Sequence, residues 1–201
     1  MCRRNDQKHK SVKALCFVAH PDDCIIYAKP FIDATPYIDW SILYLTYHKD
    51  HPRSIEISKY WNEQTHHLGQ PDYTLDNITG ISSISEDLIL DLIKPYLKGI
   101  RVILTHGEDG EYGHIHHKLV HNICKHNSIA KVFFSNKGLM LSNRQVDTKH
   151  LPIHKNAINK YYNPVRMYEI SDEAKSIIIE AKRHDTRQLN SLIHLPQKKV
   201  R

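Results

Sequence analysis

The stretch Ala14-Leu-Cys-Phe-Val-Ala-His20-Pro21-Asp22-Asp23 decides how this chain is read. A short apolar run of strand type stops at a histidine, a proline and two carboxylates. Runs of this length read as strands buried on both faces, and the residues just past them stand at the carboxyl edge of a parallel sheet. Open α/β sheets place their ligands at that edge. Two adjacent acids there repel each other with little compensation unless a cation or a reaction uses them. A second cluster, Gly113-His-Ile-His-His117, lies nearly a hundred residues on and is expected to form the other half of the same site.

Outward from that strand the pattern alternates. Lys13–Ala19 predicts a first strand, and a helix is expected from Asp22 until Pro30 interrupts or ends it. Ser41–Tyr47 suits a second strand, and Arg53–Leu68 a helix closed by Gly69. Tyr73–Leu75 is a candidate short strand. Ser85–Leu97 carries Leu88, Ile89, Leu92, Ile93 and Leu97 at helical spacing behind a capping Ser85. Arg101–Thr105 reads as a strand, His114–His126 as a helix and Lys131–Ser135 as a strand. After a poorly patterned stretch from about Asn136 to Pro164 come a last strand, Val165–Ile170, and a last helix, Asp172–Leu192, capped by Ser171. This alternation predicts an α/β fold: a Rossmann-like three-layer α/β/α sandwich with a mostly parallel sheet. One domain is expected over 1–201, with its core at about 13–192 and short polar tails. No Gly-rich loop comes after the first strand, which argues against a dinucleotide or nucleoside-triphosphate site.

The bulk properties fit an ordinary globular chain. With 201 residues, 40% apolar and 25% charged, one self-sufficient core is expected. No apolar run reaches the ~18–20 residues of a membrane span, and the first residues are polar rather than signal-like. Cys2, Cys16, Cys24 and Cys124 show no paired spacing, so reduced thiols and a cytoplasmic setting are expected. The formal charge of +6 is scattered, without a basic helix or aromatic-basic motif, so no nucleic-acid partner is expected.

Chemistry concentrates at the two clusters. His20 and Asp23 are three apart at a strand end, where a tight turn can bring both onto one metal. Neighbouring side chains diverge, which leaves Asp22 to face a metal-bound water as general base. His114 and His117 share one face at the start of a helix. His20, Asp23 and His117 then make three protein ligands with an open position, the usual arrangement of catalytic zinc. His114 and the hydroxyl of Tyr112 are placed to stabilise an oxyanion. With 16 histidines, a His-x-x-His pair arises by chance about once, so that spacing alone is weak. His66, His67, His116, His121 and His126 are expected on the surface or on helix faces. Cys24 reads as a small buried helix residue rather than a fourth ligand, and Glu108 and Asp109 fit either a solvated loop or the site.

Ala19-His-Pro-Asp-Asp23 resembles the signature of the LmbE-like, PIG-L-type zinc-dependent deacetylases, which release acetyl groups from N-acetylglucosaminyl compounds. Thr46 with Arg53-Ser-Ile-Glu56 and Leu68-Gly69 is similar to that family's second strand and Arg-x-x-Glu helix. Gly110-Glu-Tyr112-Gly-His114-Ile-His-His117 resembles its Tyr-Gly-His-Pro-Asp-His segment, and His184-Asp-Thr-Arg-Gln188 faintly resembles its His-x-Ser-Gln. The resemblance implies His20, Asp23 and His117 as metal ligands, Asp22 as base, and His114 with Tyr112 as stabilisers of the tetrahedral intermediate. It also implies Arg53 and Glu56 at the substrate mouth or bracing its loops. Three positions depart from the pattern: Cys24 stands where the family usually has Glu, Ile115-His116 replaces Pro-Asp, and the Gly-Gly pair after the first motif is absent.

The expected function is a metal-dependent hydrolase, carrying Zn2+ or Fe2+, that removes an N-acetyl group from an N-acetylglucosamine-type sugar or conjugate. The alternatives are an amidase on another sugar-linked or thiol-conjugate amide, and a non-catalytic glycan- or partner-binding module on the same fold.

Overall fold

The computed structural model describes residues 11–61, 64–72, 85–135, 139–140 and 167–193; side chains are not described for Tyr112, 139–140, 167 and 186–193. The expected strand at Tyr73–Leu75, the tails and most of 136–164 lie outside these residues.

The opening strand β1 is Val12–Val18. Ala14, Cys16 and Val18 join one apolar cluster while Leu15, Phe17 and Ala19 join the other, so successive side chains bury on opposite faces. Two-sided burial explains the unbroken apolar run and places β1 at the centre of the sheet. Strand β2 (Ile38–Thr46) pairs parallel to β1, and β3 (Gln64–Gln70) pairs parallel to β2. On the other side of β1 lie β4 (Val102–Thr105) and β5 (Ala130–Ser135), also parallel. Two antiparallel strands finish that edge, β6 (Leu139–Met140) and β7 (Met167–Ile170). The seven-stranded order β3-β2-β1-β4-β5-β7-β6 reverses direction between β1 and β4, which is the topological switch point of the sheet.

Helices cover both faces, as the three-layer expectation requires. One cluster takes Phe31 and Ile32 of α1 (Lys29–Ala34), Ile57 of α2 (Pro52–Ser58), and Ala174 and Ala181 of the long C-terminal helix α6 (Asp172–Ile193). The opposite cluster takes Ile89 and Ile93 of α3 (Glu86–Ile93) with Val120, Ile123 and Cys124 of α5 (Ile115–Lys125). Between β4 and α5 lies α4 (Gly110–Gly113), a single turn. Ser85 caps α3 by accepting from Leu88 N–H, and Ser171 accepts from Ala174 N–H, caps each worth about 1 kcal/mol. No helix among the described residues is long and apolar enough to cross a membrane. Cys16, Cys24 and Cys124 are free thiols.

Three expectations change. The helix predicted over Arg53–Leu68 stops at Ser58, and Gln64–Gln70 is strand. Ile55 and Ile57 are two apart and cannot share a helix face; Ile57 is buried and Ile55 is exposed. Trp61 instead turns inward and gives its indole N–H to the Cys24 sulfur at 2.8 Å. Pro30 does not end its helix. A π-helical turn, Cys24–Ala28, closes through Lys29 N–H onto the Cys24 carbonyl, and Pro30 opens α1, where its missing N–H costs nothing. Finally, β2 begins at Ile38, three residues earlier than its apolar core suggests.

Gly107, just past β4, fixes the loop that carries the second half of the site. A Cβ there would meet the Phe134 carbonyl oxygen at 2.2 Å, a backbone atom that cannot step aside. Gly107→Ala is expected to lower unfolding free energy by more than about 2 kcal/mol, read from urea denaturation.

Candidate metal and catalytic site

The carboxyl end of β1 is clamped from both neighbours. Ala19 carbonyl accepts from Thr46 N–H and Thr46 Oγ1, each at 2.9 Å, and Ala19 N–H donates to His106 Nε2 at 3.0 Å. Thr105 Oγ1 adds a bond to the Phe17 carbonyl at 2.8 Å. The chain then turns sharply. Asp23 N–H bonds the His20 carbonyl, and Asp23 Oδ2 accepts from His20 N–H at 2.8 Å. Asp22 and Asp23 leave this turn in different directions, Asp23 inward and Asp22 toward α2.

Asp23 Oδ2 lies between two imidazoles, 3.0 Å from His20 Nδ1 and 3.2 Å from His117 Nε2. The far nitrogen of each ring meets a carboxylate. His117 Nδ1 donates to Glu111 Oε2 at 2.5 Å, and His20 Nε2 lies 3.3 Å from Asp72 Oδ1. A histidine backed by a carboxylate is held in one tautomer and made a better ligand. His114 caps the start of α5 with its ring edge-on to His20, centroids 4.8 Å apart. Of Tyr112 the backbone alone is described.

Three residues absent from the sequence-based set belong to this cluster. His106 is fully buried and stacks on His117 with centroids 3.9 Å apart. Its Nε2 accepts from Ala19 N–H, so Nδ1 carries the proton and donates to Glu111 Oε2 at 2.8 Å. Glu111, in α4, therefore receives both rings, and its Oε1 takes Gly107 N–H at 2.9 Å. The third is Asp72, whose Oδ2 accepts from the Tyr47 hydroxyl and lies 3.9 Å from Arg53 Nη1. His106 stands at the end of a buried strand just as His20 does, so the rule that found one would have found the other. Asp72 has no local signal. His116 and His121, expected at the surface or on a helix face, lie on α5 and are buried, the first toward His20 and the second donating Nδ1–H to the His106 carbonyl at 3.0 Å.

Arg53 reaches back from α2, pairing Nη2 with Asp22 Oδ2 at 2.8 Å and Nη1 with the Tyr47 hydroxyl at 3.1 Å. Glu56, grouped with Arg53 by sequence, instead pairs with Lys59 at 2.7 Å. His184 lies on an exposed face of α6 beside Glu180. Cys24 is buried beneath the turn. It donates to the Pro21 carbonyl at 2.9 Å and accepts from Tyr44 and Trp61, and burial pushes its thiol well up.

Within 4.8 Å of one another lie ligating atoms of three sets: His20, His114 and His117; Asp23, His106 and His117; and His20, Asp72 and His116. His20, Asp23 and His117 are thus spread over these sets, joined through Asp23 Oδ2. Burial opposes charge on His20, but Asp23 outweighs it and pushes the imidazole up to about 9. His117, buried likewise and facing Asp23 and Glu111, is pushed up to about 10. His114, half-buried beside His20 and His117, is pushed down to about 3. Burial would raise Glu111, yet His106 and His117 hold it at about 2. In the metal-free protein the cluster thus draws positive charge to His20 and His117.

No protein-family model matches the chain, and no curated protein matches it. Solved structures similar in fold include a deacetylase of teicoplanin biosynthesis at 12% identity and TM-score 0.42, over 61% of this chain and 66% of that one. The N,N'-diacetylchitobiose deacetylase of Pyrococcus horikoshii matches at 18% identity and TM-score 0.43, over 56% and 48%. The 4-carboxy-2-hydroxymuconate hydratase of Pseudomonas putida matches at 11% identity and TM-score 0.47, over 94% and 91%. The match spans less than two thirds of the length of either deacetylase. These are likenesses of fold.

The raised histidines set a pH dependence for the metal-free protein. A group whose folded pKa exceeds its unfolded value near 6.5 stabilises fully below 6.5 and loses that contribution as pH rises through the folded pKa. Metal-free protein is expected to lose thermal stability progressively from about pH 7 to 10, through His20 and His117. A His20→Gln, His117→Gln double variant is expected to show a flatter melting-temperature profile over the same range.

Proposed function

We propose that the chain is a metal-dependent hydrolase that removes the N-acetyl group from an amino sugar or its conjugate. The observation that carries this reading is Asp23 Oδ2 set between His20 and His117, each backed by a second carboxylate, with Asp22 beside them in the grip of Arg53. Two imidazoles and a carboxylate are the donor set of catalytic zinc, and the raised imidazoles mark a pocket that calls for a cation. His20, Asp23 and His117 would hold the ion, Zn2+ or Fe2+. When bound, it polarises the scissile carbonyl and makes water acidic enough to attack at neutral pH.

The chain's own groups do the rest. Asp22 accepts the attacking water's proton at a carboxylate oxygen and returns it to the departing amine. Arg53, held between Asp22 and Tyr47, fixes the orientation of that carboxylate. His114, neutral near pH 7, offers a ring N–H to the oxyanion, with the Tyr112 hydroxyl as a second donor. The neutral Cys24 thiol supports the turn from below without competing for the ion. The sugar assignment rests on the His-Pro-Asp-Asp and Tyr-Gly-His-x-x-His resemblance. The substrate is a small glycoconjugate, in a cytoplasmic setting.

Asp22→Asn is expected to keep the bound metal and lower acetate release from N-acetylglucosamine conjugates by about 10²–10⁴-fold. Metal content by elemental analysis and acetate release are measured on the same samples. Unchanged turnover would sink the role of Asp22. Metal retention with release from other N-acyl amides, and none from sugars, would move the substrate class.

A further inference from the structure

The side of His20 away from Asp23 carries a second set of ligating atoms. His20 Nε2, Asp72 Oδ1 and His116 Nδ1 form a triangle with edges of 3.3 Å (His20 to Asp72), 3.4 Å (His20 to His116) and 3.4 Å (His116 to Asp72). Ordinary N–H···O bonds run ~2.7–3.2 Å, and all three edges of the triangle are longer than that. A tetrahedral ion with bonds of about 2.0–2.1 Å sets its ligand atoms about 3.3–3.4 Å apart. The triangle has the edge length of one face of such a tetrahedron.

The surroundings suit a cation as well. Asp72 turns Oδ1 to the two histidines, while Oδ2 is held by the Tyr47 hydroxyl with Arg53 near it, the outer support that a ligating carboxylate usually has. Asp22, Asp23, Asp72 and Glu111 bring four negative charges to the cluster, and Arg53 brings one positive charge. One divalent ion therefore leaves the cluster negative.

We propose that His20 Nε2, Asp72 and His116 form a second seat for a divalent transition metal beside the first, making this a two-metal centre. This inference rests on the first seat proposed above. His20 would serve both seats, Nδ1 on the side of Asp23 and Nε2 on the side of Asp72 and His116, with its ring proton released to solvent. His116 stands where the resembled family has Asp, and Asp72 is far from either motif, so the seat is a property of this chain.

The test is metal stoichiometry on the full chain, stripped by chelation and titrated with Zn2+ by calorimetry, with Co2+ absorption as the probe of tetrahedral sites. Two ions per chain are expected for the wild type, one for Asp72→Asn and one for His116→Gln, with circular dichroism confirming the fold. One ion in the wild type, with Asp72→Asn changing only its affinity, would overturn the second seat and leave Asp72 as a brace for His20. No ion at all would overturn the first seat and the hydrolase reading with it.

Discussion

The fold and the site both depend on the peptide group of Ala19. Its carbonyl is held by Thr46 at the end of β2 and its N–H by His106 just beyond β4. The residue just past β1 is thereby pinned to both neighbours at the point where the sheet's winding reverses. Without that clamp the next residue, His20, would have no fixed departure from the sheet. With it, the backbone turns at Pro21, and the turn aims Asp23 at His20 and His117 and Asp22 at Arg53 of α2, both carboxylates buried. The same imidazole that receives Ala19 N–H at Nε2 donates its single ring proton from Nδ1 to Glu111, which also receives His117. A single bond thus ties the strand end to the α4 turn and to the second cluster.

Charge is kept orderly around this clamp by pairing. Four carboxylates near the centre each face a ring or a guanidinium: Asp23 His20 and His117, Glu111 His106 and His117, Asp72 His20 and His116, Asp22 Arg53. Removing one partner from such a buried network leaves an uncompensated charge, at a cost of several kcal/mol. The neutral Cys24 thiol serves the turn because it needs no counter-charge, and its three hydrogen bonds fill the space beneath Asp23.

The sequence is legible where its signal is local. The two-sided burial of β1, the caps at Ser85 and Ser171, and the His-Pro-Asp-Asp turn are all written within a few consecutive residues. β3 was misread because Gln-Thr-His-His-Leu-Gly-Gln has no apolar alternation. It is half-buried from Thr65 to Gln70 at the sheet's edge and forms by pairing with β2 rather than by its own pattern. His106 stands just past the buried strand β4, within reach of the rule that picks out His20, and Glu111 lies one short loop beyond it. Asp72 was out of reach, since only the Tyr47–Arg53 bridge brings it to His20.

The sheet's connectivity has a consequence for how the chain reaches its final form. β1 pairs with β4 across nearly ninety residues, and the clamp on Ala19 closes over a separation of 87. Contacts this distant in sequence reward the chain only after much of it has been ordered, and parallel sheets assembled from them form slowly. His20 and Asp23 meet His106, Glu111 and His117 only once β4 has paired with β1. The donor set of the proposed metal seat is therefore complete only in the folded sheet, and an ion there would bind the folded chain rather than nucleate it.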